Sequence, residues 1–430
     1  MLMRSDFDAI VVGAGPAGSA AAILLARAGW SVALVEKQAF PRRKVCGECI
    51  AASNFPLFDA LGIGALVEAA AGPELRQVAL LHRDRSVAAD LPAAMHAQHP
   101  WGRALGRETL DSLLLEQARS SGAEVLQPWV VQGIGGTAAS WRCLARSVQS
   151  HKSVLLQSPV VIAAHGSWEP MRSPRPAQRK LRLASDLFAF KANFRNASLS
   201  EGLLPVLSFG GGYGGMVVAG AGLTTVACCV RRDRLEAARS ERPGLRAGDV
   251  VEALLRAEIG AVESVLQNAS REGEWLAAGP INPGVRLSTD DGLFRIGNAA
   301  GEAHPIIGEG MSMALQSAWL LCSQLLVAQR SEPNWQQAAA RDYALEWRRH
   351  FDARLRLAAA FAHLAMRPAL AQPLLTLARA WPGLLTAGAR WAGKLRPAVD
   401  PANGALLRPQ RGHLPNSQHA DFDLTPRRTS

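Results

Sequence analysis

No run in this sequence approaches the ~18 consecutive apolar residues that a membrane-spanning helix requires. Met1 to Asp6 are too few for a signal peptide before the first strand begins. Cysteine is sparse, with six in 430 residues (Cys46, Cys49, Cys143, Cys228, Cys229 and Cys322), too few for a disulfide framework. Cys228 and Cys229 are adjacent, and neighbouring strand positions face opposite sides of a sheet. Reduced thiols in a cytoplasmic protein are the expectation. Around Cys46-x-x-Cys49 there is no second C-x-x-C and no histidine pair, so zinc lacks a ligand set and no metal is expected. Internal repeats and nucleic-acid-binding modules are missing too, and nucleic acid is not an expected partner.

Charged residues are only 19% against 48% hydrophobic, which excludes a disordered chain and supplies a large core in two or three structural units. Acid is the scarcer charge: 36 Asp and Glu face 47 Lys and Arg, a formal +11. From Arg341 to Ser430 fourteen cations face six carboxylates, so +8 of that excess belongs to the C-terminal region. Arg341, Arg348, Arg349, Arg354 and Arg356 share a predicted helix with Glu346 and Asp352, as on a solvated face. The alternatives are a dock for an acidic peptide or protein and a peripheral contact with an anionic membrane surface.

What is present is sharpest in the first forty residues. Asp8 to Val12 is an apolar run, as in a strand buried on both faces. Gly13-Ala-Gly15-Pro16-Ala17-Gly18 follows, then an alanine-rich helix from Ser19 to Ala28, then a strand, Ser31 to Val35, closed by Glu36 and Lys37. Gly13 permits the tight turn, Gly15 lets the backbone approach a pyrophosphate, and Gly18 lets helix pack on strand. The helix N-terminus offers N–H groups and partial positive charge to phosphate. Glu36, 18 residues past the last glycine, is placed to accept ribose hydroxyls, which favours an unphosphorylated ribose. The unit predicts a bound FAD or NAD.

Three more segments carry a family resemblance. Phe40-Pro-Arg-Arg43-Lys44-Val-Cys46-Gly47-Glu48 is similar to a P-x-x-K-x-C-G stretch. Gly106-Arg107-Glu-Thr-Leu-Asp111 opens a helix. Gly297-Asn298-Ala-Ala-Gly-Glu-Ala-His304-Pro305-Ile-Ile-Gly308-Glu309-Gly310 is similar to a G-D-A-A-…-P-x-x-G-x-G fingerprint, followed by a helix from Met311. In this order the sequence resembles the FAD-dependent aromatic hydroxylases, geranylgeranyl-reductase-like enzymes and flavin-dependent halogenases. The resemblance implies FAD, held by Gly13, Gly15, Pro16, Ala17, Gly18, Glu36, Lys37, Arg43, Lys44, Cys46, Gly47, Arg107, Gly297, Asn298, Pro305, Gly308, Gly310 and Met311. It implies an α/β fold, a Rossmann-type FAD-binding domain (1–75, 99–180 and 277–330) interleaved with an antiparallel-sheet substrate domain (76–98 and 181–276), as in p-hydroxybenzoate hydroxylase. A helical region, 331–396, and a tail, 397–430, complete the chain.

The expected activity is a monooxygenase in which NAD(P)H reduces FAD and O2 then gives a flavin hydroperoxide that hydroxylates an aromatic ring. Glu48, His304 and Glu309 are the candidate catalytic groups. The W-x-W-x-I-P motif and lysine of flavin-dependent halogenases are not found, which argues against chlorination. The usual Asp-Gly element reads His165-Gly166-Ser167-Trp168, so recognition of the reductant departs from the pattern. Gly210 to Gly215 is glycine-rich around Tyr213, and either leaves room at the flavin face or forms a bulge without a pocket role. The layout G-E-x-x-x-x-S-N, A-H-G-S-W and G-N-A-A-G-E-A-H-P is similar to enzymes that hydroxylate a peptide-borne tryptophan ring in tryptophylquinone biogenesis. A free phenolic, indolic or polyketide ring is the other substrate class. An alkene reductase and a flavin-loaded binding subunit are the other functions.

Overall fold

β1 (Ala9–Val12) is apolar and buried at every position, as a strand covered on both faces must be. The computed structural model that shows this describes residues 4–94, 98–137, 140–167, 182–288 and 291–391. Trp168 and the 397–430 tail lie outside the described residues. α1 (Pro16–Arg27) and β2 (Val32–Val35) follow, and β2 lies parallel to β1 with Val32 opposite Ala9.

The chain then leaves for a second sheet, where β3 (Gln77–His82) and β4 (Arg85–Asp90) form a hairpin. It returns through α2 (Arg107–Ser120), β5 (Glu124–Leu126), an antiparallel three-stranded meander within 129–158, and β6 (Val160–Ala163). On the second visit it lays down β7 (Leu187–Arg195), β8 (Leu203–Phe209), β9 (Gly212–Val218) and β10 (Thr224–Arg231). α3 (Ala247–Glu258) and β11 (Leu276–Ile281) follow. β12 (Phe294–Arg295), α4 (Gly310–Val327), α5 (Trp335–Ala365), α6 (Pro368–Ala380) and α7 (Gly383–Trp391) complete the described chain.

Five parallel strands, in the order β12-β6-β1-β2-β5, make the nucleotide-binding sheet. One face packs on α1, α2 and α4 through residues such as Ile23, Leu110 and Leu315. The meander covers the other, setting Trp141, Cys143 and Leu156 against Ile10, Val12 and Val161. The second sheet has eight strands. It is antiparallel except that β3 and β8 run parallel, because separate visits of the chain supply them. β11 pairs with β7, so the sheet reaches Ile281 and extends past the expected boundary at 276. The glycine-rich segment is a regular strand, β9, at the centre of the sheet rather than a bulge.

Alternation assigns the two faces of this sheet. Phe190, Phe194, Met216 and Cys228 face backward onto α3 and the helix Gly260–Leu266. Ala189, Tyr213 and Cys229 face forward onto Ile306 and the end of α5. Cys228 and Cys229 thus lie on opposite faces, and all six cysteines are free thiols.

The C-terminal helices are built into the molecule. Trp347 and Phe351 of α5 are fully buried, and the Tyr343 hydroxyl donates to the Arg295 carbonyl at 2.7 Å. A Cβ on Gly301 would stand 2.5 Å from the Trp347 ring, so glycine there is what admits the indole. Arg341, Arg348, Arg349 and Arg356 face solvent as the charge pattern predicts, whereas Arg354 turns inward. Among the described residues α4 alone is long and apolar enough to cross a membrane, and 72% of it is buried inside the protein.

Candidate active site

The glycines of the first turn have different duties. Gly13 has φ 103°, and a Cβ there would stand 2.6 Å from the Ala164 carbonyl oxygen. A Cβ on Gly18 would sit 1.8 Å from the Gly13 oxygen, so any side chain would push α1 off the strand. Gly15 is unlike both: the nearest atom to a Cβ there is Arg107 Nη2, at 3.8 Å. Packing therefore requires glycine at 13 and 18, and open space is what glycine supplies at 15. α1 begins at Pro16 with no side-chain cap and no acid in its first turn, so its positive end is left for an anion. Glu36 is buried and accepts from the N–H groups of Ala14 and Gln38, both at 2.9 Å.

Beside Gly15 stands a cluster of charges. Arg107 forks onto Asp111 at 2.7 and 2.8 Å. Burial opposes its charge, but Asp111 and then Cys46 outweigh that, so its pKa is raised. Arg42 lies 3.4 Å from Asp111 and 3.8 Å from Glu36, and its buried Nε has no hydrogen-bond partner. Lys44 is pushed down to about 8 by burial and by the nearby Arg107 and Arg42. Three cations thus face two carboxylates. The excess positive charge, the orphaned Nε and the open Gly15 together fit a dinucleotide pyrophosphate.

Arg43, expected in this group, reaches the other way and donates to the Glu272 carbonyl at 3.0 Å. Arg42 takes its place, one residue earlier than the motif suggested. Lys37 is on the surface, Cys46 Sγ accepts from the Glu48 N–H at 3.4 Å, and the space beside Gly47 is open.

The second fingerprint closes on the first. Gly297 has φ 58°, and a Cβ on it would be 3.0 Å from the Ala17 methyl. The Asn298 amide donates to the Ser167 hydroxyl at 2.9 Å. Exposed Pro305 opens the turn, Gly308 takes the left-handed conformation, and α4 starts at Gly310 with Met311 buried in the core.

The three candidate catalytic residues meet different fates. Glu48, at φ 60° and fully buried, pairs with Lys191 of β7. The same oxygen accepts the Arg107 N–H at 3.1 Å, and the other accepts the Thr225 hydroxyl at 2.5 Å. It is a tie between the two domains, with no free oxygen to act as a base. Glu309, also fully buried, lies 3.5 Å from the inward-turned Arg354, which donates to Gln316 at 3.3 Å.

His304 meets the second sheet at Tyr213. Its Nδ1 is 3.3 Å from the Tyr213 hydroxyl, and its ring centroid is 5.9 Å from that of exposed His363 on α5. Burial, with His363 adding to it, holds its pKa down to about 4, so the imidazole is neutral at physiological pH. Burial raises the Tyr213 phenol well above its ordinary value, so it stays protonated.

Lys191, Thr225, Tyr213, His363, Arg42 and Arg354 were not among the expected site residues. Lys191 had a signal, as the lone charge inside the run Leu187-Phe-Ala-Phe-Lys191-Ala-Asn-Phe194. Tyr213 had one in the glycine-rich stretch around it, and Arg42 in its place beside Arg43 in the Phe40–Glu48 motif. Thr225, His363 and Arg354 had none, because only folding brings them together.

The floor between Tyr213 and Lys191 is made of small residues. Gly215 pairs with Ala227 in register, and both are half-buried. A Cβ on Gly215 would meet only the Pro205 oxygen, at 3.1 Å. Gly212 and Gly214 point backward, where side chains would strike the Phe209 ring and Cys228. The room on the forward face therefore comes from Gly215 alone among the strand's glycines.

A parallel sheet with this turn, acid and cation cluster, joined to a second sheet by a glycine-rich loop, defines a dinucleotide-binding flavoprotein fold. Residues 6–337 match the family profile described as FAD binding domain, and the chain belongs to that family. It is 24% identical over 344 residues to Conditioned medium factor receptor 1 of Dictyostelium discoideum (76% of this chain, 64% of that protein). It is 51% identical over 69 residues to Tryptophan 2-halogenase of Chondromyces crocatus (16% and 13%). The match thus spans less than two-thirds of either of these relatives. It is 24% identical over 370 residues to Digeranylgeranylglycerophospholipid reductase of Methanoculleus marisnigri (80% and 83%). Among solved structures it resembles the myxobacterial chondrochloren halogenase CndH, with a TM-score of 0.71 at 19% identity over 94% of this chain and 96% of that one. It also resembles Pseudomonas aeruginosa PqsL in complex with 2-aminobenzoylacetate, with a TM-score of 0.65 at 18% identity over 91% and 99%. At these identities the structural likeness is one of fold.

Proposed function

We propose that the chain is an FAD-dependent oxidoreductase, specifically a monooxygenase that uses NAD(P)H and O2 to hydroxylate an aromatic ring. The finer reading is a tryptophan ring carried by a peptide or protein during tryptophylquinone biogenesis. The observation that carries the proposal is the floor of Gly215 and Ala227 opposite the His304 loop. It is flat and small, and the nearby carboxylates Glu48 and Glu309 are engaged by Lys191 and Arg354. Such a surface favours a neutral planar ring over an anion.

Bound FAD would supply the hydride and oxygen chemistry. Arg42, Lys44 and Arg107 would hold its pyrophosphate, Glu36 its ribose, and the Gly297–Met311 segment its ring system. A proton leaving the ring would be taken up by neutral His304, through the protonated Tyr213 hydroxyl that hands its own proton to Nδ1, with exposed His363 beyond them. Ile306 and Met366 exclude water from this face by covering it.

A second reading, reduction of an alkene, is favoured by the likeness over 83% of the Methanoculleus protein, whose name is that of a reductase. NAD(P)H consumption by the FAD-loaded protein, with and without O2, separates the two. The expected result is O2-dependent turnover with an aromatic acceptor and a product heavier by one oxygen. Turnover that persists without O2 would overturn the monooxygenase reading, and a halogenated product in the presence of halide would replace it with halogenation.

A further inference from the structure

We propose that α6 and α7 form a docking face for a bilayer surface rich in anionic lipid, lying in the plane of its headgroups. α6 is held to the second sheet by Leu375 and Ala378, which pack with Val87 of β4. α7 is tied to the same strand by the Thr386 hydroxyl, which donates to the Asp90 carbonyl at 2.9 Å. The side turned away from the sheet is apolar. Leu370, Leu374 and Leu377 follow each other at helical spacing with 37–43% exposure, and Trp381 (65%) and Leu384 (42%) continue the row into α7. Exposed apolar residues scattered singly are ordinary, but a contiguous row on one face is not.

Charge points to what covers it. From Ala353 to Val399 the sequence contains no Asp or Glu and seven cations. Of these, Arg379 and Arg390 are exposed on α6 and α7, and Arg367 is exposed immediately before α6. Apolar residues with a tryptophan, bordered by arginines and with no acid on either helix, suit the headgroup zone: the alkyl groups and indole enter the acyl boundary while guanidinium groups reach phosphate. The arginines are 12 and 11 residues apart, spread along the row instead of clustered. That spacing matches a laterally distributed negative surface better than a short acidic peptide.

The face adjoins the active site. The Ala365 carbonyl, just before α6, accepts from Ser208 at 2.7 Å, and the Met366 carbonyl accepts from the Gly211 N–H at 3.0 Å. Both partners border Tyr213. The proposal does not depend on which reaction the flavin site performs.

Co-sedimentation of the full-length, FAD-loaded protein with vesicles tests it. Binding is expected with mixed phosphatidylcholine–phosphatidylglycerol vesicles, and not with phosphatidylcholine alone. It should weaken with salt, which tests the charge component without any variant. Leu374→Gln/Leu377→Gln/Trp381→Gln should reduce binding about tenfold or more while leaving flavin absorbance and the melting temperature unchanged. Absence of binding to anionic vesicles, or binding unaffected by both salt and the triple substitution, would overturn the proposal. So would binding to polyglutamate that is tighter than to the vesicles and unchanged by the triple apolar substitution, because it would assign the face to an acidic protein. If the triple variant misfolds, Arg379→Gln/Arg390→Gln tests the same face, with the same loss expected and unchanged binding counting against it.

Discussion

Glu48 shows how far a residue's chemistry depends on its neighbours. In sequence it is a carboxylate beside a cofactor turn, a natural candidate base. In the fold it is fully buried against Lys191, with Thr225 and the Arg107 N–H completing its bonds. Removing one member of a buried ion pair strands the other, which costs about 3–5 kcal/mol, whereas removing both together costs much less. Lys191→Met should therefore destabilise the protein by about that amount. Lys191→Met/Glu48→Gln should lose less than the sum of the single losses, measured by denaturant unfolding. Additive losses would show that the two side chains act separately. The chain has only two tyrosines, and Tyr213 spends one of them on the forward face of the sheet, where its hydroxyl meets His304.

At the level of elements, the strand–turn–helix unit was legible because each part has a local cause: an apolar run, glycines at fixed offsets, and an acid after the second strand. The two glycines nearest the helix start make opposite demands that can be separated. Gly18→Ala places a methyl 1.8 Å from the Gly13 oxygen and should destabilise the apoprotein, with a lowered melting temperature. Gly15 has φ −70°, which alanine adopts without strain, and its surroundings are open. Gly15→Ala should leave the apo melting temperature unchanged and weaken FAD binding about tenfold or more by crowding the phosphate approach. An equal loss of apo stability in both variants would remove the distinction. β9 was not legible as a strand, because glycine is a poor strand former by propensity. Its place at the centre of the sheet comes from Phe209 and Cys228, which fill the space behind Gly212 and Gly214.

Across the whole molecule, α5 joins the two domains. It sends Trp347 into the nucleotide-binding half, Arg354 to Glu309, and Ala362 and Ala365 onto the second sheet. His304 lies where these parts meet, and its pKa of about 4 against an ordinary 6.5 makes it a reporter of their assembly. Between pH 6.5 and 4 the unfolded chain binds a proton that the folded one refuses. Stability therefore falls as pH drops through that window, by on the order of 3 kcal/mol at its lower end. Burial holds His165 down to about 4 as well, so His304→Gln should reduce the slope of the stability–pH curve between 6.5 and 4 by about half without abolishing it, checked by thermal unfolding across that range. An unchanged slope would place the acid sensitivity elsewhere.

The sequence by itself determined the nucleotide-binding unit, the second fingerprint and the basic character of the C-terminal region, because local periodicity, turn chemistry and composition encode them. Tertiary structure decided which arginine stands in the charge cluster with Arg107 and Asp111, which carboxylates are closed off by cations, and that Tyr213, His304 and His363 share one corner. Those outcomes depend on contacts between residues up to ~150 positions apart, where packing and desolvation, not the identity of a side chain, set what a group can do.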